Sequence, residues 1–115
     1  MAVKVLIQRR IKAVKEKELI EAVQELRTKA IRTPGYISGE ILRAIEDPSL
    51  HLVISTWKSI DDWNSWVNSS ERKACQQKID AILEEPTKIT PYEYEFLTVD
   101  VDKALTNLEF SVEGQ

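Results

Sequence analysis

The stretch PGYISGEILRAIEDPSLHLVISTWKSIDDWNSW, residues 34–66, changes periodicity twice. Tyr36 to Glu46 is dense in β-formers, Asp47-Pro48-Ser49 carries turn chemistry, and His51 to Trp57 resumes an apolar strand. A helix then opens directly from the second strand. Ser59 offers an N-cap oxygen, and Asp62 three residues on puts negative charge into the first turn, where backbone N–H groups lack partners. In that helix Ile60, Trp63 and Val67 share one stripe, which assigns Trp63 to the core and leaves Trp66 rotated to the edge.

Upstream, Val3, Val5, Ile7 and Ile11 alternate with Lys4, Gln8, Arg10 and Lys12, with Leu6 and Arg9 breaking the pattern. This predicts a half-buried first strand. From about Lys15 the period lengthens: Leu19, Val23, Leu26 and Ala30 recur at helical spacing, widened by Ile20, Ala22 and Ile31. Pro34 stops that helix and Gly35 supplies a flexible turn into the second strand. Downstream, Asn68-Ser69-Ser70 is a break, with Ser70 the expected cap of a third helix through Leu83. Its buried stripe is Cys75, Ile79, Ile82 and Leu83, and Glu84-Glu85-Pro86 ends it. Ile89 to Val99 reads as a fourth strand with Tyr92, Tyr94 and Phe96 on one face.

The order β-α-β-β-α-α-β is an α+β, ferredoxin-like unit: an antiparallel four-stranded sheet whose second crossover helix is broken in two. One layer of helices covers only one sheet face. Strands this rich in valine and isoleucine predict that a second copy covers the other, closing a dimeric α+β barrel without free edges. One domain is expected over residues 1–115, with a core at 2–98 and an extension at 99–115 that either packs on the partner subunit or is a loosely attached terminus.

Net charge is −3 with the signs interspersed, which argues against a nucleic-acid partner or an anionic membrane surface. Arg9-Arg10 with Lys12 reads as a solvated strand edge. The single cysteine, Cys75, excludes an internal disulfide and suits a reducing compartment, so a cytoplasmic location is expected. No apolar run approaches the ~20 residues that span a bilayer, and the N-terminus lacks a signal-peptide pattern. Groups able to do chemistry are few. His51, the sole histidine, reads as an exposed structural residue beside a turn, and Cys75 as a small core residue. One His with one Cys cannot supply the usual metal-ligand sets, so no metal is expected. Gly35 and Gly39 lack the rest of a dinucleotide fingerprint. Glu40, Glu93 and Glu95 lie on strands, where glutamates are mostly solvated.

The Pro34-Gly35-Tyr36 start, the Trp57-Lys58-Ser59 strand end and the Trp66-Val67-Asn68-Ser69 helix resemble the antibiotic biosynthesis monooxygenase-like family of dimeric α+β barrels. That family holds cofactor-independent oxygenases, haem-degrading oxygenases and members of unassigned activity. The resemblance covers about residues 2–98. In the haem-degrading branch the tryptophan matching Trp66 lies against the porphyrin, and the iron-ligating histidine comes ten residues later, where this chain has Gln76. The first-strand asparagine of that branch is replaced by Ile7 or Gln8. Glutamine is a poor iron ligand beside imidazole, so haem degradation is disfavoured. The resemblance then implies a monooxygenase without cofactor, acting on a small aromatic compound of quinol or polyphenol type. Trp66, Gln76, Tyr36, Tyr92 and Tyr94 are expected to line its pocket, with no proton acceptor identified. The alternative is a homodimer that binds a small molecule without catalysis.

Overall fold

A computed structural model describes residues 1–95. Strands β1 (Val3–Arg10), β2 (Tyr36–Arg43), β3 (Leu50–Trp57) and β4 (Lys88–Glu93) form one antiparallel sheet in the order β2-β3-β1-β4. Helix α1 (Glu16–Ile31) joins β1 to β2, while α2 (Ile60–Val67) and α3 (Ser70–Asp80) join β3 to β4. This is the ferredoxin-like arrangement the sequence predicts, broken crossover helix included.

All three helices cover one face of the sheet. Val3, Val5 and Ile7 of β1 share a buried cluster there with Leu19, Val23, Leu26 and Ala30 of α1 and with Cys75 and Ile79 of α3. Arg9 stays in phase with Val5 and Ile7 and is 2% exposed, so it is no solvated edge residue. The two-residue period belongs to the strand backbone and holds whatever the side chain. Register carries the effect to β3. His51 stands opposite Arg9, on the same face as Val53, Ser55 and Trp57, and is buried rather than exposed. Arg10 points the other way and fits the solvated description, with ion pairs to Asp47 and Glu85.

Other boundaries shift for local reasons. The buried stripe of α2 centres on Trp63 and Trp66, leaving Ile60 exposed, so the rotation is one step off the sequence reading. Ile20 and Ile31 of α1 are likewise exposed. Ser69, not Ser70, caps α3, its Oγ accepting from the Arg72 backbone N–H at 3.2 Å. Helix α3 stops at Asp80, while Ile82 and Leu83 remain buried in the turn beyond, where Leu83 bridges Ile11. Strand β4 ends at Glu93 because Glu93 pairs with Val3, the first residue of β1, and the ladder runs out of partner. Tyr94 follows that end; Phe96, Val99 and the extension at 99–115 lie outside the described residues.

The opposite sheet face is apolar but holds no part of this core. Leu6, Leu52 and Ile54 lie there half-buried, with Leu42 and Tyr92 exposed beside them. No helix among the described residues is long and apolar enough to cross a membrane.

Candidate functional site

Helix α1 packs mainly against α3 and touches β2 lightly, which leaves a cleft between α1 and the helix-facing side of β2 and β3. Its aromatic end is a cavity of about 60 Å³ lined by Tyr36, Trp57, Trp63 and Trp66 together with Arg9 and Arg72. A groove of about 300 Å³ continues it, sharing Arg9, Val23, Ile41 and Val53 and running on to His51 and Arg43.

Trp57 organises the aromatic wall. It is the last residue of β3, just before the chain turns into α2. It meets Tyr36 edge-on at 5.4 Å and Trp63 at 5.8 Å, and stacks on Trp66 at 6.3 Å between ring centroids. Its Nε1–H donates to Ser55 Oγ at 3.1 Å, so the one polar atom of the ring is satisfied in the core. Two glycines make the packing possible. A Cβ at Gly39 would lie 2.6 Å from the Tyr36 hydroxyl, which therefore folds over that glycine. Gly35 has φ +90°, and a Cβ there would collide with the Asp62 side chain, so α2 sits against bare backbone. Asp62 is held in place by Ser59, which caps α2 and donates to Asp62 Oδ2 at 2.9 Å.

The electrostatics of the cavity are one-sided, whereas the groove that continues it carries Glu16. Arg9, Arg27 and Arg72 line the cavity, and no carboxylate among the described residues does. Arg9 Nε is buried with no hydrogen-bond partner among the described residues. Burial pushes the Arg9 guanidinium down to about 10, the Arg72 charge adds to this, and Asp80 opposes it. Arg72, on the first turn of α3, is lowered by burial as well, again opposed by Asp80. Its guanidinium sits 5.7 Å from the Trp63 ring centroid and reaches Gln76 Oε1 only at 3.5 Å. His51 Nε2 is also buried without a partner among the described residues.

Of the residues expected to line one pocket, Tyr36 and Trp66 meet at this cavity. Gln76 does not join them within the chain. It faces a separate groove of about 570 Å³ beyond Arg72, where its Nε2 donates to Asp80 Oδ1 at 2.8 Å and Thr87 Oγ1 at 3.1 Å. Tyr92 borders a third depression with Met1 and Ile60, and Tyr94 lies past the end of β4. Glu40, Glu93 and Glu95 are exposed, and Cys75 is buried in the core. Sequence reading alone does not single out Trp57, Arg9 and Arg72 as cleft residues. The signals are nevertheless present: Arg9 keeps the phase of Val5 and Ile7, and Arg72 lies three residues before Cys75 on the buried stripe of α3.

Residues 2–78 match the family model described as antibiotic biosynthesis monooxygenase, well over half of the chain. The chain belongs to that family. Two longer relatives of this monooxygenase-family chain each align over about half of it. A 42.8 kDa protein in the whiE locus of Streptomyces coelicolor is 30% identical over 56 residues, 49% of this chain and 14% of that protein. Protein SchA of Streptomyces halstedii is 30% identical over 54 residues, 47% of this chain and 14% of its own length. The chain thus spans only a small part of these relatives. Among solved structures, a conserved protein from Methanosarcina mazei superposes with a TM-score of 0.79 at 19% identity, covering 83% of this chain and 94% of that one. SnoaB of Streptomyces nogalater, described as a cofactor-independent oxygenase, gives a TM-score of 0.76 at 11% identity over 86% of this chain and 98% of its own. Identities this low establish a shared fold.

Proposed function

We propose that this protein is an oxygenase working without a cofactor, and that it takes a small aromatic compound of quinol or polyphenol type into the cleft under α1. The observation that carries this reading is the aromatic wall of Tyr36, Trp57, Trp63 and Trp66 at one end of a cleft continuous with a 300 Å³ groove. Family membership and the fold shared with SnoaB support it. The chemistry asks little of the protein. A phenol and dioxygen give a quinone and water, with one oxygen atom inserted and the other leaving with two hydrogens. The electrons come from the substrate, most readily once its hydroxyl is ionised. The site has to bind, orient and exclude bulk water. The haem reading loses support, because Gln76 is tied to Asp80 and Thr87 outside the aromatic cavity.

The same reading makes the working unit a homodimer with its sheets face to face, since Leu6, Leu52, Ile54 and Leu42 form an apolar face outside the core. Native mass spectrometry of the purified protein, followed by oxygen uptake with an anthrone or quinol probe, tests the function. The expected result is a bound aromatic compound or uptake well above autoxidation. Ligand binding without uptake would favour a binding module. Absence of both binding and uptake would overturn the proposal.

A further inference from the structure

Arg9 and Arg72 are 2% and 5% exposed, and neither makes an ion pair among the described residues. Arg9 also leaves its buried Nε–H without an acceptor there. Burying an unpaired cation is costly, and Met or Leu would fill either position more cheaply were packing the only role. The nearby acids are committed elsewhere. Asp80 is exposed and accepts from Gln76, and Glu16 accepts from Arg43 at 2.9 Å. Among the described residues, the cavity that both arginines border has no carboxylate in its lining.

We propose that Arg9 and Arg72 form an anion-binding pole in the cleft, and that the ligand is a small flat aromatic compound carrying an anionic oxygen, a phenolate or a carboxylate. This rests on the aromatic-ligand reading above and narrows it. Guanidinium groups present planar, fixed N–H donors, and their bonds to charged oxygen are the strong ones. The unused Nε–H of Arg9 is such a donor. Position fits as well as charge. The cavity of about 60 Å³ is smaller than the ~150 Å³ void known to hold benzene, so a ring has to extend into the 300 Å³ groove. Arg9 borders both spaces, and Val23, Ile41 and Val53 give the ring an apolar path past it. A pole that holds the ionised phenol also holds the form that gives electrons to dioxygen.

The test uses the full chain, tryptophan fluorescence quenching and three probes of one size in mildly alkaline, low-salt buffer: 4-nitrophenolate, 4-nitrobenzoate and neutral 4-nitroanisole. At least one anion should bind about tenfold more tightly than the neutral ether, the scale of one charge-assisted hydrogen bond. Phenolate or carboxylate preference identifies which anionic oxygen the pole takes. Arg9→Met and Arg72→Met should each erase most of that preference, read as the ratio of anion affinity to 4-nitroanisole affinity within the same variant, while Arg72→Lys keeps part of it. Arg9→Met should melt no lower than the parent protein, because it removes an unpaired buried charge; a clear drop would mark Arg9 as a fold-supporting residue and count against the pole. Equal binding of neutral and anionic probes, or a preference that survives both Met variants, overturns the anion pole alone. Failure of all three probes to bind at millimolar concentration overturns the aromatic cleft and the pole with it.

Discussion

Trp57 shows how much one side chain fixes here. Its ring touches Tyr36, Trp63 and Trp66, so the last residue of β3 joins β2 and α2 in a single contact set. The helical stripe read from sequence makes Trp63 core and Trp66 peripheral, but both are buried, at 3% and 4% exposure. Truncating a buried Trp costs ~3–5 kcal/mol, so Trp63→Ala and Trp66→Ala should lower stability by comparable amounts in urea titrations. A Trp66→Ala variant within ~1 kcal/mol of the parent protein would contradict the stacked pair. Asp47 supplies a pH-dependent case. The hydrogen bond from Arg10, followed by that from Ser49, holds its carboxyl down to about 2. An unfolded Asp titrates near ~3.9, so the ionised form favours the folded state. That contribution is complete above the unfolded value and disappears as pH falls through the folded one. Asp47→Asn should therefore lower the Tm near neutral pH, with the difference closing as both proteins are acidified toward pH ~2. A gap that persists there would show that the carboxylate charge was not the cause.

At the level of elements, the β2–turn–β3–α2 segment is legible in the sequence because each signal is local. Asp47-Pro48-Ser49 makes its turn from its own side chains, and Ser59 caps α2 by accepting from the backbone N–H of Asp62, three residues on. Arg9 and His51 mislead a sequence reading because their residue types suggest exposure while strand phase buries them. Phase is imposed by backbone geometry, and charge decides only what it costs. The end of β4 is illegible for a different reason: it depends on where β1 begins, far away in sequence. The cleft itself follows from the packing of α1 against α3 more than β2, which no single periodicity encodes. Gly35 joins local and long-range effects. Its positive φ, and the overlap of any Cβ there with the Asp62 side chain, mean that Gly35→Ala has to move α2 or break the turn. The left-handed backbone alone disfavours Ala by ~1 kcal/mol, and the clash adds to this. A loss of ~2–4 kcal/mol in chemical denaturation is expected. Asp62→Gly in the same background should recover part of it by opening the space.

For the whole molecule, the sheet separates two tasks. One face builds the core and the cleft with the helices; the other presents Leu6, Leu42, Leu52 and Ile54 without joining that core. Large exposed apolar patches are unusual on monomers, and pairing two such faces would bury both. Light scattering at micromolar concentration should then return about twice the 13.2 kDa chain mass. Ile54→Lys places a charge at the middle of the open face, where its neighbour across β1 is Leu6. That variant should dissociate to monomer with little change in helix content, because Ile54 is not part of the buried cluster. The cleft lies on the opposite face of the sheet, lined by Arg9, Trp57 and Arg72 of the same chain. Aromatic probe binding should therefore survive in the monomer. Loss of binding together with dimerisation would mean that the partner completes the cleft, and a parent protein that scatters as a monomer would remove the sheet-to-sheet pairing altogether.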